Sequence, residues 1–473
     1  MARKDFLQLR PLGYETQPEV EEFPLSTLDH LSVCTYNHYA FVFKLDVSTN
    51  RAAIASVLQR GLEATLGQCR HMVGTIEKNE AEDYSIIKKR SSTVPFVVKW
   101  LDGPDTKSKS FEEMEKLHFN GEAFGDKASL GIEGMTYGAA CDINDSPIVS
   151  GFQLNFIPGG MILCVHHHHY MFDVKGTESF VRQLAANCNS VMNDSAPPSW
   201  DDEFMNRSRF TTPMVPFEER VDPPPIPQRH PDHLPCLQLI SHLSKSKAAE
   251  LKCLASPTDG SWISTYDAMV ALWWRISIQT RVAFYPKTDT SGPALFNEAI
   301  DMRKRVDPKL PEKFQGNALN ISKSMQQEKQ LTLADIISND VPLSRVASHI
   351  RAITNAGTPE PFFEMLNAVA KVRNKASLFF RLDSFAPMCF NVTEWRDARM
   401  CEADFGFGRP VVYRHLMNQG FVSENIIVIY PPRVVEDNPD EGVEFFIPFE
   451  EHDTNRLLHH PDVVKYFDYR GLQ

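Results

Sequence analysis

Four consecutive histidines, His166 to His169, stand inside the chain. Imidazole titrates near neutral pH, so such a run points to acid–base chemistry or to metal binding. Neighbouring residues at the end of a strand face opposite ways, so the four rings cannot converge on one ion. No H-E-x-x-H and no C-x-x-C spacing accompanies them, and no metal site is expected. Taken singly, each histidine reads as a polar residue closing a buried strand. Spacing sets His169 apart: Asp173 follows four residues on and Gly176 three further. A neutral imidazole held in place is a general base able to take a proton from a hydroxyl, an effect of about 10²–10⁴-fold. Asp173 reads as the buried carboxylate that pins the loop, and Gly176 as the residue permitting a tight turn before the next helix.

The elements around this pattern can be read from the same stretch. Gly151 to Ile157 and Met161 to His166 are apolar runs joined by Pro158-Gly159-Gly160, the signature of a hairpin. Thr177 to Val191 places Phe180, Val181, Leu184, Ala185 and Cys188 on one face of a helix, with Thr177 as its cap. His169 therefore falls in a strand-to-helix connection, where a side chain can be held at a cleft. Farther on, Tyr266 to Gln279 reads as a helix with Asp267 near its positive end. Asn425 to Tyr430 and Val443 to Ile447 read as strands.

The clearest break is the proline-dense stretch Thr212 to Cys236, with prolines at 213, 216, 223, 224, 225, 227, 231 and 235. Such a density excludes helix and central strand and makes a semi-rigid extended connection. The expected division is an N-terminal domain over 1–205, a crossover linker over 206–236 and a C-terminal domain over 237–473. With 473 residues, 42% apolar and 23% charged, each half can bury its own core. The net charge of −12 argues against a nucleic-acid partner. Nine scattered cysteines without a paired spacing argue against a disulfide framework and for a reducing, cytoplasmic setting. Residues 1–12 do not read as a signal peptide, and no run approaches a membrane span.

Six further patterns carry a family resemblance. Asp404-Phe405-Gly406-Phe407-Gly408-Arg409-Pro410 resembles the D-F-G-W-G-x-P signature of the BAHD acyl-CoA-dependent acyltransferases, with Phe407 in the tryptophan's place. Leu25-Ser26-Thr27-Leu28-Asp29 resembles their L-S-x-x-D, Asp301-Met302-Arg303 their D-x-R, and Gly316-Asn317 their G-N pair. Thr393-Glu394-Trp395 is similar to T/S-S-W, with Glu394 as a departure. Ser264-Thr265 ahead of Leu272-Trp273-Trp274-Arg275 is similar to the S-S/T…W-R segment. Gln153 to Gly160 and Ser264 to Ala268 resemble the fungal branch typified by trichothecene 3-O-acetyltransferases.

The resemblance implies an α/β fold of two chloramphenicol-acetyltransferase-like domains, with mixed sheets, flanking helices and an active-site channel at their interface. It implies acyl-CoA, in all expectation acetyl-CoA, as a co-substrate with no permanently bound cofactor, a small-molecule alcohol as acceptor, and a monomer. His169 would be the base, with Thr393 and Trp395 stabilising the oxyanion and Asp173 turned away in a salt bridge to Arg303. Ser264 and Thr265 would contact CoA. Asp404, Gly406 and Gly408 would shape a loop far from the chemistry. Amide formation or cyclisation on the same H-x-x-x-D, and a non-catalytic binding protein, are the alternatives.

Overall fold

The computed structural model describes residues 3–79, 83–103, 106–139, 141–378, 381–417, 426–436 and 438–473. Two mixed β-sheets, each flanked by helices, carry the molecule. In the first, the strands run in spatial order Arg3–Leu9, Val94–Trp100, Ser150–Ile157, Gly160–His168, Tyr36–Lys44 and Val412–His415. The hairpin expected around Pro158 is present, and its second strand extends to His168. That strand pairs on both sides, with Ser150–Ile157 and with Tyr36–Lys44, and every residue in it is buried. A central strand with both ladders filled is the stiffest platform a sheet offers for the residue that follows it, His169.

The helix after it spans Val174–Asn193, three residues longer at its start than the apolar periodicity indicated. Its cap is Asp173, whose Oδ1 accepts the Gly176 N–H at 2.8 Å. Thr177 lies inside the helix and uses its hydroxyl on the Asp173 carbonyl and on His167 Nε2. Gly176 therefore makes no turn. It lies in the helix's first turn, where a Cβ would stand 2.8 Å from the Gly316 carbonyl oxygen, so the requirement is close approach.

The second sheet runs Leu319–Lys323, Phe296–Asp301, Phe390–Glu394, Ile426–Tyr430, Val443–Glu450, Cys236–Leu243 and Asp468–Leu472. The strand expected at Asn425 to Tyr430 is described from Ile426; Asn425 lies outside the described residues. Helices Lys245–Ala255, Thr265–Arg281 and Leu343–Ala356 pack on it through a core that includes Trp273, Trp274, Phe296 and Phe390. The small third sheet joins Val20–Pro24, Tyr84–Lys89 and Thr75–Lys78.

Two features join the halves. Val412–His415, which follows most of the second sheet in sequence, pairs antiparallel with Tyr36–Lys44 as an edge strand of the first. The proline-dense stretch forms a 3-10 turn at Phe217–Glu219 and is anchored by Arg220 on Asp83 at 3.1 Å before entering the strand Cys236–Leu243. Among the described residues no helix is long and apolar enough to cross a membrane.

Candidate active site

Three of the four histidines are occupied by their surroundings. His166 bonds the Met135 carbonyl through Nδ1 at 2.8 Å and stacks near His38, His167 meets the Thr177 hydroxyl at 2.9 Å, and His168 accepts the Tyr170 N–H on Nδ1 at 3.1 Å. Burial lowers the pKa of His166 to about 4 and of His167 to about 3, so both are neutral. His169 differs. It is only partly buried, its Nδ1 has no partner among the described residues, and Nε2 is the ring nitrogen left open. Burial lowers its pKa below the ordinary value, against the opposing pull of its own carbonyl and of Asp173. The ring is thus uncharged at neutral pH.

The backbone of the His169–Asp173 loop is clamped from both halves. The His169 N–H donates to the Thr35 carbonyl at 2.9 Å. Asn317 Nδ2 donates to the carbonyls of His169 and Tyr170 at 3.2 Å each, and to Asp29 Oδ1 at 2.8 Å. Arg207 holds the Tyr170 carbonyl at 3.1 Å, the Met171 carbonyl at 2.8 Å and Asp29 Oδ2 at 3.0 Å. Asp173 forms a two-point pair with Arg303, at 2.8 and 2.9 Å, and accepts the Ala318 N–H at 2.8 Å. Burial alone would raise its pKa, but Arg303 and the amides of Ala318 and Gly176 hold it below the usual value. All four carboxylate bonds point into this clamp.

Asp29 and Asn317 were visible in the sequence as motif positions without a role. Arg207 carried no signal, because its three partners lie 36 to 178 residues away.

Thr393 and Trp395 lie at the end of the strand Phe390–Glu394 and just past it. The Trp395 indole N–H donates to Thr393 Oγ1 at 3.1 Å. Its ring packs with Tyr39, His415 and Tyr430, at centroid distances of 5.9, 5.8 and 5.3 Å. Tyr39 in turn stacks on His167, and the field of His169 is felt at His415, whose pKa burial already lowers strongly. This aromatic group carries the second sheet's Trp395 to the histidine strand of the first. Glu394 alternates to the other face and pairs with Arg396.

Ser264 is the cap of helix Thr265–Arg281. Its hydroxyl takes part in a capping box with Asp267 and receives Arg351 at 2.6 Å. Thr265 lines a cavity of about 570 Å³ that also includes Lys245, Lys252 and Arg396, the residue after Trp395. Asp404, Gly406 and Gly408 form a turn with positive φ at both glycines and the Asp404 carboxylate on the Gly406 N–H at 2.9 Å. Phe405 and Phe407 seat this turn on Phe43. Because Tyr36 pairs with His168 and Phe43 with Met161, the turn lies seven residues along the strand from the His168–His169 end, roughly 23 Å.

A two-sheet enzyme with a clamped, uncharged histidine at the junction of its halves is the class that fold and site define. The Transferase family model matches residues 14–462. The chain is 42% identical to Acetyltransferase FGR3 of Gibberella zeae, with 100% of this chain and 95% of that one covered. It is 25% identical to Trichothecene 3-O-acetyltransferase TRI101 of Fusarium sporotrichioides, over 92% of this chain and 94% of the relative. In fold it is similar to F. graminearum TRI101 complexed with coenzyme A and deoxynivalenol, at a TM-score of 0.76 and 21% identity, covering 95% of this chain and 100% of that one. The chain belongs to this Transferase family as an acyltransferase of the BAHD acyl-CoA-dependent type, in its fungal branch near the trichothecene 3-O-acetyltransferases.

Proposed function

We propose that the protein transfers an acetyl group from acetyl-CoA to a hydroxyl of a hydrophobic fungal metabolite such as a terpenoid, polyketide or alkaloid. The observation that carries this reading is His169, uncharged, with Nε2 open and its backbone fixed by both halves of the chain. The names of the relatives point the same way for the donor, as acetyltransferases, and one, Eremophilane O-acetyltransferase ORF8 of Penicillium roqueforti, names an O-linked acceptor.

In this mechanism Nε2 of His169 takes the hydroxyl proton as the oxygen attacks the thioester carbonyl. Charge gathers on the carbonyl oxygen, and the Thr393 hydroxyl donates to it. Trp395 holds the Thr393 oxygen from behind, leaving the hydroxyl hydrogen to point into the site. Collapse expels the CoA thiolate, which recovers the proton from His169. Asp173 contributes by aiming the loop, since both its oxygens are taken. CoA phosphates would rest at the cavity bearing Lys245, Lys252 and Arg396, with Thr265 beside the chain and Ser264 supporting the helix start. The thioester would then approach Trp395 along a proposed channel between the two sheets, with the acceptor entering from the opposite side.

The test is His169→Ala with acetyl-CoA and a panel of metabolite alcohols, reading CoA thiol release and acetylated product. Turnover is expected to fall by about 10²–10⁴-fold with the melting temperature retained. Turnover near the parent rate would overturn the reading.

A further inference from the structure

Beside the base, on the far side of the histidine strand's end, three groups outside the proposed chemistry come together. Cys34 Sγ, Cys141 Sγ and a ring nitrogen of His168 all lie within 4.8 Å of one another. His168 is fully buried, and both cysteines are partly exposed. Two thiols and an imidazole could hold a zinc-like ion, but the tautomer opposes it. His168 Nδ1 accepts the Tyr170 N–H, so in the neutral ring the proton is on Nε2. That nitrogen faces Cys34 Sγ at 3.7 Å as a donor. Binding a metal there would require the proton to move to Nδ1, where a backbone N–H already points. The remaining chemistry is a sulfur that faces an N–H donor, has a second thiol within 4.8 Å, and in its thiol form donates to the Cys141 carbonyl at 3.3 Å; the N–H is the partner its thiolate would use. Hydrogen bonding with Cys141 and with His168 brings the Cys34 pKa down to about 5 against the effect of burial, while the bond with Cys34 and burial push the Cys141 thiol up, Asp142 and Asp145 adding to the rise.

We propose that Cys34 and Cys141 form a peroxide-reactive dithiol, with Cys34 the attacking and Cys141 the resolving sulfur, whose closure to a disulfide stops acyl transfer. The Cys34 thiolate attacks one peroxide oxygen, the O–O bond breaks, and the departing oxygen leaves protonated as water or alcohol. The sulfur, oxidised by two electrons, becomes a sulfenic acid. Cys141 then attacks that sulfur, the S–S bond forms, the S–O bond breaks, and hydroxide leaves as water with the Cys141 proton. Closure must bring the sulfurs to about 2.05 Å. That draws Cys34 from His168 and moves Thr35, whose carbonyl holds the His169 N–H and whose hydroxyl oxygen holds the Gly138 N–H.

The experiment treats the reduced full chain with hydrogen peroxide at about pH 6, blocks free thiols, and maps disulfides by mass spectrometry. A Cys34–Cys141 crosslink is expected, formed about tenfold faster than oxidation of Cys34 in a synthetic peptide; the larger thiolate fraction outweighs the lower basicity at that pH. Acyl transfer should be lost on oxidation and restored by dithiothreitol. Cys141→Ser should keep its basal transfer rate and trap the sulfenic acid on Cys34 as a dimedone adduct, so the proposal does not depend on a Cys34 variant folding. Oxidation of the exposed Cys253 ahead of Cys34, one equivalent of zinc retained on the thiols, or a crosslink without loss of transfer would each overturn it. The thiol measurements need no acceptor, so they stand or fail apart from the acetyl-transfer reading.

Discussion

At the scale of single residues, Trp395 and Thr393 read from the sequence as two separate donors, yet the indole N–H is spent on the Thr393 oxygen at 3.1 Å. In the proposed mechanism one hydroxyl hydrogen then serves the oxyanion, with tryptophan behind it. Thr393→Ala should therefore cost about 10²–10³ in kcat, the range for losing one oxyanion donor. Trp395→Phe, which keeps the ring contacts and loses only the N–H, should cost about tenfold. Steady-state rates of the two variants decide this; equal losses would mean that Trp395 contacts the substrate itself. If His169 is the base, as proposed, it sets the pH profile. Its pKa lies below the ordinary histidine value because burial disfavours the imidazolium. A base must be unprotonated, so activity is lost as pH falls through that lowered value. The acid limb of kcat/KM should accordingly fall below about 6.5 with unit slope. A limb centred above that value would assign the titration to another group. His169, Asp173 and Arg303 were legible because spacing and motif order expose them. The Asp29–Arg207–Asn317 clamp was not, since its bonds join backbone carbonyls and side chains distant in sequence.

At the scale of elements, the helix after the base shows why boundaries escaped periodicity. Apolar spacing begins at Phe180, so Thr177 read as the cap, whereas the first turn, Val174-Lys175-Gly176-Thr177, has a single apolar side chain and is organised by Asp173. One carboxylate both caps the helix and pairs with Arg303; the motif resemblance implied the pairing, and only the tertiary structure reveals the capping. A comparable junction occurs on the second sheet. Glu298, on strand Phe296–Asp301, receives the Tyr266 hydroxyl from one helix and the Thr354 hydroxyl from another, each at 2.6 Å. Burial raises its pKa to about 7, against those two bonds. The folded state thus binds a proton that the unfolded chain releases near 4.5, and stability declines as pH rises between the two values. Glu298→Gln resembles the protonated side chain and should remove a penalty of about 3 kcal/mol above pH 7. Its melting temperature should exceed the parent's at about pH 8 and converge with it near pH 4.5. Equal melting at the higher pH would show that Glu298 is charged and satisfied in the fold.

Across the whole molecule, two mixed sheets with flanking helices were legible, but the edge strand Val412–His415 was not. Four residues ending in Arg414 and His415 give neither an apolar run nor a clean alternation. The strand is held by what its polar residues meet. Arg414, fully buried in the first sheet, reaches Glu444 in the second at 2.6 Å. Glu444 also receives Arg470 at 2.6 Å and lies 3.5 Å from Arg433, while Glu441 balances the last two. Burial opposes its charge, but the three guanidinium groups bring its pKa down to about 2. Its stabilising effect is therefore complete above about 4.5 and is lost only as pH falls through about 2. Glu444→Gln leaves buried guanidinium charge unbalanced, a change that costs about 3–5 kcal/mol. If this carboxylate ties the sheets together, hydrogen exchange in the variant should rise in Val412–His415 and in Asp468–Leu472 alike, although the first strand belongs to the other sheet. Acyl transfer should weaken with it, because the same edge strand presents His415 to Trp395 and Tyr39. Exchange rising in the second sheet alone, with Val412–His415 as protected as before, would mean that Arg414 finds its balance elsewhere and that backbone pairing with Tyr36–Lys44 suffices to hold the halves in place.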